Sequence, residues 1–234
     1  MTATYREINM KSFEYKDVTK NKNGGMNAYI NQSKTDRNSP RFQLSEKMRV
    51  PFGIREASLD DKSGTNPRKN MEVSVGEDAL VEFLDALDAQ NVGVAATNSK
   101  KWFKKELSED ALAATLYRHS LSKDATGRFE PLLRLKINGP GSRQETRIFV
   151  AEPTSEGGMK YTRGTIDDCP PNSHVTPIVQ LGGMWFISKG FGMAINCTDL
   201  LVYPAKQQTA AFPFQISDPT TTTDGTPAPG ATPG

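Results

Sequence analysis

The chain is poor in the residues that build covalent frameworks and reactive centres. It has two cysteines, Cys169 and Cys197, and two histidines, His119 and His174, in 234 residues. Two thiols so far apart make neither a disulfide scaffold nor a zinc site, so free thiols of a reducing compartment are the simpler expectation. Neither histidine has a Cys, Asp or His partner at ligand spacing, so no metal is expected, and no cofactor either. The G-x-S-x-G elbow, the phosphate-loop signature, the kinase-type loop and H-E-x-x-H are all missing. The glycines of "GGMWFISKGFG" do not match a dinucleotide fingerprint, because a strand and not a helix follows them. The paired acids Asp60–Asp61 and Asp167–Asp168 fall in loops, where solvation accounts for them. With no converging set of reactive groups, the chain is not expected to be an enzyme. Long apolar runs are also lacking, whereas a bilayer span needs about 20 residues. The first twenty residues have no apolar core of a signal peptide, so a non-secreted protein without a membrane partner is expected. The net charge is only +2; a polyanion binder of this composition must gather its cations locally.

What is present is alternation. Residues 1–40 are polar and are read as an N-terminal arm, punctuated by Tyr5, Phe13, Tyr15 and Tyr29, which either pack on the domain or contact bases. In "FQLSEKMRVPFGIRE", Leu44, Glu46, Met48 and Val50 alternate with Ser45, Lys47 and Arg49, the period of a strand with one solvated face. In "SVGEDALVEFLDALDAQN", Ser74 and Glu77 match a capping box, and Leu80, Phe83, Leu84 and Leu87 form a helical stripe. "NSKKWFKKELSEDALAATLYRHSL" is read as continuing this helical insert, with Leu112 and Leu116 inward. "RFEPLLRLKI" puts Arg134 and Lys136 opposite Leu133, Leu135 and Ile137. In "QETRIFVAE", Arg147 and Phe149 face away from Ile148 and Val150. The intervening "NGPGSR" predicts a tight turn and a hairpin, and "SEGGMKYTRGTIDDCPPN" is read as loop. "PIVQLGGMWFISKGFGMAINCTDLLVYP" supplies paired closing strands joined near Gly190. Residues 206–234 are Thr/Pro/Gly-rich and are expected to be a disordered tail.

The fold class expected is mainly β (α+β): a five-stranded, highly curved OB-like barrel over 41–205, with a helical insertion after the first strands. A β-sandwich with a helical insertion is the runner-up. The chemistry left to the chain is binding. Lys100, Lys101, Lys104 and Lys105 surround Trp102 and Phe103, and on a helix 101, 104 and 105 share a face. The same pattern also describes, more simply, an amphipathic helix with solvated lysines and a buried aromatic. Arg134, Lys136 and Arg147 on one sheet face, with Phe149 among them, are the ingredients of a groove that tracks a phosphate backbone and stacks bases. Trp185 and Lys189 fall in phase and Phe186 out of phase, so Trp185 is assigned the exposed side and Phe186 the core.

The order "PLLRLKI…TRIFVAE", "HVTPIVQLGGMWFISK", "GFGMAINCTDLLVYP" resembles the OB-fold single-stranded-DNA-binding proteins of podophage-type replication and their counterparts in nucleocytoplasmic large DNA viruses. An early strand and helical insert are matched by "FQLSEKMRVPFGI" and 74–120. The resemblance implies a sequence-tolerant single-stranded-DNA binder in viral DNA replication, recombination or repair, located in the cytoplasm or nucleus of an infected cell. Single-stranded DNA is the partner it implies, with replication proteins and a second copy of the chain as further candidates. The family's acidic tail has no counterpart here, because after Lys206 only Asp218 and Asp224 are acidic, so recruitment through the tail is not carried over. The alternative is a structural β-barrel protein such as a minor virion component.

Overall fold

Alternating apolar and polar residues dominate the chain, and they resolve into strands. The computed structural model describes residues 2–20, 25–56 and 69–203. Its strands, in chain order, begin with β1 (Glu14–Lys20), β2 (Met26–Asn31), β3 (Arg41–Gln43), β4 (Met48–Val50), β5 (Ile54–Glu56) and β6 (Lys69–Ser74). Three helices follow: α1 (Asp78–Thr97), α2 (Ser99–Phe103) and α3 (Glu109–Thr115). The chain then returns to strands: β7 (Tyr117–Arg118), β8 (Leu121–Ser122), β9 (Leu132–Ile137), β10 (Arg147–Pro153), β11 (Met159–Gly164), β12 (Ser173–Ile187) and β13 (Gly190–Tyr203). All thirteen join one sheet, whose main path runs β1-β2-β12-β13-β9-β6-β5. The fold is therefore mainly β with a helical insert. The insert follows six strands, and the strands described outnumber the five expected. The tail from 206, with Phe212 and Phe214, lies outside the described residues.

The antiparallel ribbon β12–β13 is the spine. β12 carries β2, β3 and β4 in succession along one edge. β13 carries β7, β9 and β10 along the other, all parallel to it. Residues 182 and 183 form a bulge between the pairs Leu181–Ile195 and Met184–Met193. The extra residue keeps Leu181 and Met184 on the same inner face despite their odd spacing, and both are fully buried. Gly183 has φ +97, and a Cβ there would fall against the Ala28 carbonyl oxygen of β2. Only glycine combines that backbone with so close an approach.

The inner face is mostly apolar. Met71, Val73, Leu133, Leu135, Ile137, Val175, Val179, Leu200 and Val202 are buried there, and Leu80, Leu84 and Leu87 of α1 join the same core. Fully burying each such side chain contributes about 1.5–3 kcal/mol. A buried polar network ties α1 to the sheet. Asp88 accepts from the Tyr117 hydroxyl (2.6 Å) and the Ser120 amide (2.8 Å). Asn91 donates to the Tyr117 hydroxyl and accepts from that of Tyr15, each at 2.9 Å. Burial, reinforced by the neighbouring Asp88 carboxylate, pushes the Tyr117 hydroxyl up. Burial likewise moves Tyr15 up to about 12.

Several elements differ from expectation. Glu14–Lys20 and Met26–Asn31, read as part of a polar arm, form β1 and β2, while Tyr5 and Phe13 follow the packing alternative and are buried in the core. The alternation from 42 to 50 breaks into β3 and β4 at a turn where Lys47 has φ 51. Ser74 closes β6 and does not cap α1. The residue before α1 is Glu77, whose carboxylate accepts from Ser45 and Tyr5. The expected helical run to Leu121 ends at Thr115, and Ser108 caps α3 through the Ala111 amide. β9 and β10 do not form a hairpin. Both run along the same edge of β13, and the 138–146 excursion between them is pinched by Thr146 N–H donating to the Asn138 carbonyl at 3.0 Å. β10 pairs instead with β11, a strand in the segment read as loop.

Candidate nucleic-acid interface

Strand alternation assigns the outer face residue by residue, and the register between strands then assembles it. Arg41 of β3 lies beside Gln180 of β12, Gln180 beside Asn196 of β13, and Asn196 beside Lys136 of β9. Lys136 lies beside Asn70 of β6, and Asn70 beside Arg55 of β5. One transverse row thus crosses six strands with three cations, three amides and no carboxylate. At about 4.8 Å between strands, the row is roughly 24 Å long over the curved sheet.

Two further outer rows flank it. On one side Arg134 pairs in register with Glu72, whose Oε1 accepts from Arg134 Nη2 at 2.9 Å. On the other side Arg147 lies beside Asp199, and the two are ion-paired. Asp199 also accepts from Arg41 at 2.6 Å and from the Thr198 hydroxyl at 2.9 Å. Burial alone would raise the Asp199 carboxyl. The hydrogen bonds from Arg41 and Thr198, with the nearby guanidinium charges, outweigh it and hold the group below its ordinary value. Phe149 is half-buried on this face, with the Arg163 guanidinium 5.5 Å from its ring centre.

At the tip of the ribbon, Trp185 lies beside Asn27 of β2 and Gly192 of β13, and Gly192 lies beside Arg118 of β7. A Cβ on Gly192 would come within 2.9 Å of the Trp185 ring, so the indole rests over this glycine. Phe186 faces the other way. It stacks on Phe191 at 5.4 Å with 5° between planes, and Trp102 and Phe103 close over it. Parity sends the two rings to opposite sides of the sheet, but both are half-buried. Trp185 is thus not fully exposed, and Phe186 packs against the core without being enclosed in it. The bulge at 182–183 precedes both and leaves their relation intact.

Arg134, Lys136, Arg147, Phe149 and Trp185 do share one face. The lysine cluster does not join them, because Trp102 and Phe103 place α2 against the inner side of the tip. α2 ends at Phe103 and Lys104 has φ 62, so Lys101, Lys104 and Lys105 do not share a helical face. Lys100 pairs with Glu106 at 2.9 Å and Lys101 with Asp17 at 2.5 Å. Lys189 is exposed in the turn joining β12 to β13, not on a strand, so its phase with Trp185 places nothing. Its carbonyl accepts from Arg118 at 3.2 Å. Sequence reasoning missed Arg41, Asn70, Arg55, Gln180, Asn196 and Arg118. Only the outward parity of Arg41 and Arg55 in their short strands could have flagged any of them.

No protein-family model matches the chain, and no curated protein sequence matches it. Among solved structures it is similar to gp2.5, a single-stranded DNA binding protein encoded by bacteriophage T7. That likeness has a TM-score of 0.44 and 8% identity, covering 75% of this chain and 98% of that one. It is also similar to the single-stranded DNA-binding protein from bacteriophage Enc34 in complex with ssDNA, at a TM-score of 0.42 and 10% identity, covering 83% of this chain and 97% of that one. At these scores neither likeness decides the fold or the site.

Proposed function

We propose that the chain is a non-enzymatic, sequence-tolerant single-stranded-DNA-binding protein, built on an OB-like curved sheet and acting in DNA replication, recombination or repair. The observation that carries this reading is the carboxylate-free row from Arg41 to Arg55. A row of N–H donors across a sheet suits phosphate oxygens, and amides tolerate any base edge. Arg134 and Arg147 flank the row, and Trp185 supplies an aromatic face at the tip. Stacking on such a face is worth about 1–3 kcal/mol per base and ignores sequence. The internal pairs Arg134–Glu72 and Arg147–Asp199 hold the guanidinium groups in place. The more exposed pair, Arg134–Glu72, is worth at most about 1 kcal/mol, so a phosphate can compete for Arg134. The buried Asp199 carboxylate holds Arg147 and Arg41 more firmly.

The test is a fluorescence titration with oligo-dT at two salt concentrations, with duplex as competitor. Tighter binding of the single strand is expected, with a log–log salt slope of roughly −2 to −4, since each neutralised phosphate contributes about −0.7. Equal or stronger binding of duplex sinks the reading.

An assembly role is the second reading. β11 pairs with β10 alone among the described strands, and it exposes Met159 and Tyr161 along an edge that a second copy could extend.

A further inference from the structure

A second concavity lies beyond the β5 end of the polar row. It is a cleft of about 1160 Å³ between the 45–52 segment, the 74–80 junction of β6 with α1, and the 122–132 loop before β9. Two phenylalanines line it while exposing much of their surface, Phe129 at 76% and Phe52 at 43%. Single exposed apolar side chains are ordinary, but two large ones in one hollow mark a binding surface. The 124–128 turn holds Phe129 out. The Asp124 carboxylate accepts from the Thr126 hydroxyl and, at 2.9 Å, from the Arg128 amide. The Arg55 guanidinium lies 4.2 Å from the Phe52 ring centre, a cation–π contact that steadies that ring.

Four cations and four carboxylates line the cleft, and two of the carboxylates are already engaged within the protein. Lys47, Arg49, Lys123 and Arg128 line it. Of the four carboxylates there, Glu77 is engaged by Ser45, Tyr5 and Arg6, and Asp124 by its own turn. Glu46 and Glu130 complete the set. Lys123 pairs with Asp85 of α1 at 2.7 Å, which leaves Lys47, Arg49 and Arg128 as the other cations lining the cleft. The cleft is also continuous with the outer face. Phe52 forms a shared wall with a smaller hollow of about 250 Å³, lined by Arg55, Asn70, Glu72 and Arg134. A strand that follows the row to Asn70 and Arg55 reaches Phe52 next.

We propose that this cleft is a base-stacking subsite for the same DNA strand, in which unpaired bases leaving the sheet face stack on Phe52 and Phe129 while Lys47, Arg49 and Arg128 meet the phosphates. The proposal rests on the single-stranded-DNA reading and extends the strand's path from the sheet face over the β5 edge.

The experiment measures anisotropy of labelled oligo-dT from 4 to about 30 nucleotides, the upper part of the range exceeding the site sizes of small single-strand binders. The full chain is compared with Phe129→Ala and Phe52→Ala. Both variants should melt like the wild type. On long oligonucleotides Phe129→Ala should bind about 5- to 150-fold more weakly, the loss of one stack, and Phe52→Ala should weaken in the same direction. On the shortest oligonucleotides that bind, neither should differ from the wild type. Abasic spacers replacing the bases should lower wild-type affinity and remove the difference from Phe129→Ala. Wild-type binding of long oligonucleotides that is unchanged in both variants overturns the subsite and leaves the sheet-face reading standing. Loss of anilinonaphthalene-sulfonate binding in Phe129→Ala with DNA affinity intact also overturns it, and assigns the cleft to an apolar partner. Failure of the wild type to bind any oligonucleotide defeats the sheet-face reading itself, a result the variants cannot mimic.

Discussion

At the tip of the β12–β13 ribbon, one residue step separates two environments. Phe186 points inward, stacked on Phe191 and covered by Trp102 and Phe103. Trp185 points outward over Gly192, beside Asn27 and Arg118. The same contrast runs down the ribbon. Val179, Leu181, Ile195 and Cys197 are buried on one face, and Gln180, Asn196 and Lys136 hold the other. Adjacent residues of equal hydrophobicity can thus serve folding and binding separately, because the pleat sends them to opposite sides.

The sharpest way to break that comparison is Phe186→Ala. It removes the centre of the aromatic cluster and should cost about 3 kcal/mol of folding free energy in a urea melt. Oligonucleotide affinity, measured where the variant is folded, should stay within twofold. Trp185→Ala should do the reverse, weakening oligo-dT binding by about 1–3 kcal/mol with a melt close to the wild type. If both variants lose affinity equally, the two faces are not functionally distinct.

Asp199 tests whether carboxylates on the outer face restrain its cations. Asp199→Asn leaves Arg41 and Arg147 without their shared partner, and should tighten oligonucleotide binding several-fold with a steeper salt dependence. It should also cost about 1–3 kcal/mol of stability, the scale of hydrogen bonds to a charged group. The folded carboxyl sits below its ordinary value of about 3.9, so its stabilisation is present above that pH and is lost as pH falls through the lowered value. Urea melts of the wild type and Asp199→Asn should accordingly converge on acidification, and a gap that persists at low pH would contradict the ion-pair account. The smallest effect belongs to Glu72→Gln. Freeing Arg134 should improve affinity by less than about 1 kcal/mol, because an exposed pair restrains its cation weakly. A weakened affinity would instead mean that Glu72 orients Arg134 for its ligand.

How much of this was legible depended on where the deciding contacts lie. The faces of β9 and β10 could be read directly, since "LLRLKI" and "RIFV" alternate without interruption and burial follows the alternation. β11 was invisible. "MKYTRG" is exposed almost throughout, has no apolar face to alternate, and is a strand because β10 pairs with it. The "NGPGSR" turn misled for a related reason. Turn chemistry specifies a reversal locally, but β9 and β10 each pair with β13, 60 and 52 residues later, and not with each other. Ser74 looked like a cap because its spacing to Glu77 is right, yet β6 claims Ser74, and Glu77 is taken by Ser45, Tyr5 and Arg6.

The amino-acid sequence by itself determined which side of β9 and β10 is apolar, where α1 lies, and that Trp185 and Phe186 point to opposite sides. These follow from backbone periodicity, which acts within a few residues. Only the tertiary structure decided that Arg41, Gln180, Asn196, Lys136, Asn70 and Arg55 stand in one row, that Asp199 and Glu72 hold three of the arginines, and that Phe52 and Phe129 share a cleft. Each depends on inter-strand register or loop docking across distant parts of the chain, and register is set by the burial of all the inner faces together.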